Sequence, residues 1–194
     1  AAASSVQIPI RLLHARFMQK HKSALEGMIT AFAESGWHER EKEPAPGIWV
    51  TTQGVEASVD VDFDRLYTEA CTLDSLFQRM GRCYRVRMYE HAEPNIHVLT
   101  ENASGIGTVY DRQITSNSLR LLESFDGQML KESDKMALVR RLYSRENLLG
   151  LDFLRKFEQA LDLFDNKRMF ELTSAESQRL LREIASVEVA PPPY

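Results

Sequence analysis

Only two cysteines, Cys71 and Cys83, occur in 194 residues. Two cannot build a disulfide framework, and their spacing matches no zinc-ligand pattern. Both stand among apolar neighbours, which marks them as packing residues and fits a reducing, cytoplasmic setting. The chain also lacks any apolar run near the roughly 20 residues that a bilayer span requires. No stretch reads as a secretory signal. Positive charge is not in excess: the formal net charge is -4. That argues against a domain devoted to nonspecific wrapping of nucleic acid, although a local basic groove remains compatible with it. No Gly-Lys pair occurs, so the Gly-x-x-x-x-Gly-Lys-Ser/Thr loop that cradles phosphates is missing. No Asp-Glu-Ala-Asp or Asp-Glu-x-His box and no His-Asp pair occurs either. His14, His21, His38, His91 and His97 are scattered without metal-ligand spacing and read as surface or core residues. No metal site is expected.

What is present is an ordinary globular composition, 43% hydrophobic and 27% charged, sufficient for one large domain or one and a half smaller ones. Ala1 to Ser5 reads as a tag remnant, a linker or a disordered edge, and Pro191 to Tyr194 as a tail that cannot continue a helix. Strand character begins at Ile8 to Phe17. Leu25, Met28, Ile29 and Phe32 give residues 22 to 35 a helical apolar stripe. Pro44 and Pro46 mark a loop, Ile48 to Thr51 a buried strand, residues 53 to 59 a helical turn, and Phe63 to Ala70 another strand. A helix follows, then a strand at Ile96 to Thr100. Strands alternating with helices predict a parallel sheet with helices on its faces. From Gly105 the character changes. Gly105 and Gly107 read as a linker, and beyond Tyr110 only helices are expected. Their stripes are Ile114, Leu119, Leu122 and Phe125; Met136, Val139, Leu142 and Tyr143; and Leu151, Leu154, Phe157, Leu161 and Phe164. Thr173 with Glu176 opens a last helix as a capping box.

Two blocks carry chemistry. Asp74 to Arg85 reads Asp-Ser-Leu-Phe-Gln-Arg-Met-Gly-Arg-Cys-Tyr-Arg. At about 100° per residue, Gln78, Arg82 and Arg85 share one helical stripe, with Leu73, Leu76, Met80 and Cys83 opposite. Two guanidiniums beside an amide suit a transferring phosphoryl group, whose charge is spread over several oxygens. A solvated basic face is the competing interpretation. The second block, Thr51 to Asp64, follows a buried strand, where parallel sheets bind ligands. Thr52 offers a hydroxyl and an amide to a phosphate; Asp60 offers a carboxylate to a sugar hydroxyl. Asp60, Asp62 and Asp64 also mimic the start of a calcium loop, but Arg65 stands where its glycine is needed and Cys71 where its glutamate is needed. Helix capping and pairing with nearby arginines is the remaining alternative for these carboxylates.

Together the blocks resemble motifs V and VI of a superfamily 2 helicase. The runs Thr-Gln-Gly-Val-Glu-Ala-Ser-Val-Asp-Val-Asp-Phe-Asp and Gln-Arg-Met-Gly-Arg are similar to those of the CRISPR-associated helicase-nuclease family of type I systems. Leu12-Leu13-His14-Ala15-Arg16-Phe17 resembles its motif IV, with Ala15 where serine is usual, and the likeness runs from about residue 10 to 150. The resemblance implies an α/β, RecA-like second lobe, incomplete, at residues 6 to 104. An all-helical segment at 105 to 190 and the tail would follow.

By the same resemblance, Arg82 and Arg85 reach the terminal phosphates of ATP and are the catalytic pair. Gln78, Arg79 and Asp60 bind the nucleotide, Arg79 more through structure than contact and Asp60 near the ribose. Thr52 and Arg16 meet single-stranded DNA, with packing an equal alternative for Arg16. The implied cofactor is ATP with Mg, the metal held mainly by a first lobe outside this sequence. The implied partners are single-stranded DNA, that first lobe, the nuclease domain and the CRISPR surveillance complex, with no membrane. The parent would be a translocase coupled to DNA degradation, and this chain alone would not hydrolyse ATP. Another superfamily 2 helicase, acting on RNA or DNA, or a non-catalytic interaction module retaining the lobe fold, are the alternatives.

Overall fold

Helix α1 (Gln19–Ala33) forms over the expected stripe, and it turns Ile29 and Ala33 fully inward. They meet Leu13, Val59 and Val61 in one apolar cluster, against which Leu25, Phe32, Trp49 and Phe63 pack. Met28, assigned to the same stripe, is exposed instead, because the buried face is centred on Ile29 and Ala33. The computed structural model describes residues 8–14, 16–34, 46–52 and 59–165. The turn expected at 53 to 59 and the capping-box helix at Thr173 lie largely or wholly outside them.

Strand β1 (Ile10–Leu13) pairs in parallel with β2 (Ile48–Thr51), Ile10 opposite Ile48 and Leu13 opposite Thr51. Strand β3 (Leu66–Glu69) pairs in parallel with β4 (Ile96–Leu99), Leu66 opposite Ile96. The parallel sheet read from the sequence is therefore present as two two-stranded pieces among the described residues. Leu13 and Trp49 turn one face of the first piece toward α1, where Trp49 and Phe32 bring their rings to 6.5 Å. Ile10, Leu12, Ile48 and Val50, adjacent in register, form the other face and are 47–69% exposed. Ordinary parallel sheets cover both faces.

Helix α2 (Leu73–Met80) follows β3 and buries Leu73 and Leu76. It is shorter than the periodicity predicts. Arg82 and Arg85 lie beyond its end, so the continuous Gln78, Arg82, Arg85 stripe does not form. The chain leaves the helix at Gly81, and Cys83 bridges in parallel to Phe63. A strand-like pairing from outside the segment overrides the helical spacing there.

After β4, Ser104 to Tyr110 is a tightly bonded turn, in contrast to the linker expected at Gly105 and Gly107. Gly105 O accepts from the amides of Val109 at 2.9 Å and Tyr110 at 3.0 Å. The hydroxyl and amide of Ser104 both donate to Glu69, at 2.8 and 2.9 Å, and hold its carboxyl below the usual carboxylate range. Helix α3 (Arg112–Leu122) starts at Asp111, whose carboxylate accepts from the amides of Gln113 and Ile114. A 3-10 turn at Glu123–Phe125 ends it. Helix α4 (Glu132–Leu142) buries Leu138 and Leu142, while Met136 is exposed. Buried Ser118 of α3 accepts from the amide of Leu73, the first residue of α2, at 3.2 Å. That satisfies one of the orphan donors at the start of α2.

The described residues up to Leu142 form one compact unit and those from Tyr143 a second. In the second, Ser144 caps the short helix α5 (Arg145–Leu148). Gly150, with φ of 81°, turns the chain into α6 (Asp152–Asp165). Tyr143 and Phe153 pair their rings at 5.9 Å. Phe157 and Leu161 of the predicted stripe are exposed.

Candidate functional site: an arginine segment beside an acidic strand

Residues 60 to 64 of the second expected chemical block lie beside the arginine block, while residues 53 to 58 fall outside the described residues. The amide of Phe63 donates to Arg82 O at 2.8 Å, and the amide of Tyr84 donates back to Phe63 O at 3.2 Å. Two arginines then pair with three aspartates. Arg85 Nη1 donates to Asp60 Oδ1 at 2.6 Å. Arg87 Nε donates to Asp62 Oδ2 at 3.1 Å, and Arg87 Nη1 to Asp64 Oδ1 at 2.9 Å. Asp60, Asp62 and Asp64 alternate along their stretch, and Arg85 and Arg87, two residues apart on the bent segment beyond α2, reach them in order.

The pairs differ in surroundings. Asp60 and Arg85 keep side chains 64% and 43% exposed, so water screens their attraction and an incoming anion can compete for the guanidinium. Asp62 is 1% exposed and the Arg87 side chain 13%. Burial works against the charged guanidinium of Arg87. Hydrogen bonds to Asp62 and Asp64 outweigh that and raise its pKa. Arg87 also lies 4.1 Å from the ring centroid of Tyr84. Tyr84, between the two expected catalytic arginines, adopts φ of 48°, a left-handed conformation that costs a residue with a side chain. Burial, reinforced by the charges of Asp62 and Asp64, pushes the Cys83 thiol up to about 12.

The other expected residues separate into two groups. Gln78 is exposed on α2 and Arg82 is half-buried in the turn after it. Arg79 turns toward β3 and the Ser104–Tyr110 turn, donating to Thr68 Oγ1 at 2.5 Å and to the Tyr110 hydroxyl at 2.6 Å. Thr52 and Arg16 stand just past the carboxyl ends of β2 and β1, which finish in register. The amide of Thr52 donates to Leu13 O at 3.3 Å and continues that ladder. Asp62, Arg87, Tyr84 and Tyr110 were missed as site residues. The signal for the first two was the two-residue spacing of charge in both stretches.

A shallow, open depression of about 490 Å³ beside Asp60 is lined by Glu26, Gly27, Thr30, Ala31, Glu34 and Val59 as well. Its carboxylates oppose a triphosphate, so it is no nucleotide cradle. Among the described residues no group of three or more His, Cys, Asp or Glu could hold a metal. No described helix is long and apolar enough to cross a membrane.

Parallel strand pairs, a helix after β3 and an arginine segment bridged to the acidic strand make a mixed α/β fold of the kind seen in the C-terminal, RecA-like lobe of helicases. The family model described as CRISPR-associated nuclease/helicase Cas3, C-terminal, matches residues 1–88. The CRISPR-associated nuclease/helicase Cas3 of Methanothermobacter thermautotrophicus is 29% identical over 185 residues, 93% of this chain and 21% of its own length. The crystal structure of T. fusca Cas3-ATP shares the fold with a TM-score of 0.65 and 20% identity, over 90% of this chain and 21% of that one. A chain in a solved CRISPR RNA-guided surveillance complex, pre-nicking, matches with a TM-score of 0.60 and 25% identity, over 84% and 20%. Residues 1–88 thus match the C-terminal model of the Cas3 family, and the chain is similar to a segment of the C-terminal helicase lobe of Cas3 proteins. It spans about a fifth of the length of these relatives.

Proposed function

We propose that this segment supplies the arginine side of an ATP-driven motor that moves along single-stranded DNA and feeds it to degradation in CRISPR interference. In the longer protein, ATP with Mg binds between this lobe and a first lobe that holds the metal. Arg82 and Arg85 close on the terminal phosphates, Gln78 reads the nucleotide from the exposed side of α2, and Asp60 faces the ribose. Arg79 serves as the anchor that keeps α2 against β3. Thr52 and Arg16, at the carboxyl ends of β2 and β1, meet the DNA backbone. Docking to the surveillance complex brings the motor to its target.

The carrying observation is the presentation of Arg85. Its guanidinium is partly exposed and pairs with Asp60, whose carboxylate is more exposed still. A phosphate can replace that carboxylate with a stronger, bidentate contact. Arginines acting this way contribute roughly 10³- to 10⁵-fold to turnover, or about 4 to 7 kcal/mol of barrier. The residues present fit the phosphate side of a nucleotide site. The sequence carries no Gly-x-x-x-x-Gly-Lys-Ser/Thr loop, so the isolated chain is expected to hydrolyse no ATP.

The test is Arg82→Ala and Arg85→Ala in the full-length protein, with ATPase measured in saturating single-stranded DNA. Each is expected to lose at least a hundredfold in kcat with an unchanged circular dichroism spectrum. ATPase within about tenfold of the unmutated protein overturns the assignment.

A further inference from the structure

Asp62 binds the arginine segment at two points. Its Oδ1 accepts from the backbone amide of Arg85 at 3.0 Å, and its carboxylate takes Arg87 Nε at 3.1 Å and Nη2 at 3.4 Å. The amide of Asp62 itself donates to Ala33 O at 2.7 Å, so the backbone that carries this carboxylate is tied to the end of α1. Arg87 adds bonds to Asp64 Oδ1 and to Phe63 O at 3.3 Å, and it covers the ring of Tyr84. The segment between Arg82 and Arg85 is thus held from one side by backbone bonds to Phe63 and from the other by a desolvated ion pair. It includes the left-handed Tyr84, a conformation that persists only where its surroundings impose it.

A buried ion pair is a poor means of stabilising a fold, since apolar residues of the same volume commonly do as well or better. Its directional bonds are well suited to fixing a backbone. We propose that Asp62 and Arg87 are positioning residues that set where Arg82 and Arg85 stand, without touching the nucleotide themselves. The inference rests on the nucleotide-facing role of those two arginines. Misplacing a catalytic group by about 1 Å can cost on the order of a hundredfold in rate, and the loss falls on turnover rather than on ground-state binding.

Arg87→Gln and Arg87→Lys in the full-length protein test this, with Arg82→Ala as control. DNA-stimulated kcat, KM for ATP and thermal unfolding are measured for each. Arg87→Gln is expected to lower kcat at least tenfold with KM within threefold, in protein that still unfolds cooperatively. Lysine keeps the charge but cannot reproduce the two-pronged bond, so Arg87→Lys is expected to lose at least fivefold. If Arg87→Gln does not fold, Arg87→Lys decides alone. Folded variants with kcat within twofold of the unmutated protein, beside an Arg82→Ala control that loses it, overturn the positioning role only. An Arg82→Ala control that keeps its ATPase removes the nucleotide-facing reading, and the positioning role falls with it.

Discussion

Arg79 and Tyr110 are joined twice. Arg79 Nη2 donates to the Tyr110 hydroxyl at 2.6 Å, and the guanidinium carbon lies 5.7 Å from the Tyr110 ring centroid. Since Arg79 also donates to Thr68 Oγ1, one side chain of α2 clasps β3 and the turn that precedes α3.

Stability, more than turnover, should register the loss of that clasp. Tyr110→Phe removes one acceptor and is expected to cost about 1 kcal/mol; Arg79→Ala strips the bonds to Thr68 Oγ1, Glu69 O and Tyr110 and is expected to cost about 2 to 3 kcal/mol. In a urea-denaturation double-mutant cycle the pair should couple by at least about 0.5 kcal/mol. Additive losses would show that the two residues act independently.

Cys83 predicts an alkaline weakness. Burial holds its thiol at about 12 in the folded chain, against about 8.5 when unfolded. The folded pKa is the higher one, so this stability is fully present below the unfolded pKa and is lost as pH rises toward the folded value. Between pH 8.5 and 10.5 the unfolded state sheds a proton that the folded state keeps. The expected penalty reaches up to about 1.4 kcal/mol per pH unit. Cys83→Ala removes that slope, although it also vacates a little core volume. Urea midpoints measured across this range should fall more steeply for the unmutated chain than for Cys83→Ala. Parallel slopes would assign the alkaline loss to other groups.

Local signals in the sequence were enough wherever local forces decide the structure. Ile48 to Thr51 is a strand at the expected residues because β-branched and aromatic side chains favour the pleat. Cys71 and Cys83 are both buried and free, as their apolar neighbours implied. What a single chain conceals is pairing at a distance. Arg82 and Arg85 obey helical spacing from Gln78, yet Phe63 draws Cys83 into a bridge and the helix stops at Met80. Asp62 was read as one of three carboxylates of a rejected calcium loop. Its partner Arg87 sits 25 residues away, and nothing in either stretch alone shows that the two alternations meet. Met28 and Met136 sat on predicted apolar faces and ended exposed, since a helical stripe is wider than the surface its neighbour covers.

The two faces of the β1–β2 pair should respond in opposite ways to substitution. Leu13 is buried in the cluster with Ile29, Ala33, Val59 and Val61. Leu13→Ala therefore combines lost transfer energy with a cavity, expected at about 2 to 5 kcal/mol. Val50 lies on the opposite face beside Leu12, half-exposed. Val50→Thr keeps a β-branched side chain and fills no core, so it is expected to change stability by less than about 0.5 kcal/mol. The same substitution breaks a contiguous apolar patch formed with Ile10, Leu12 and Ile48, and such patches drive association. Light scattering of the 194-residue chain should thus show less self-association for Val50→Thr at an unchanged urea midpoint. A midpoint that drops as far for Val50→Thr as for Leu13→Ala would mean that both faces are covered in solution, and the exposed face described above would be wrong.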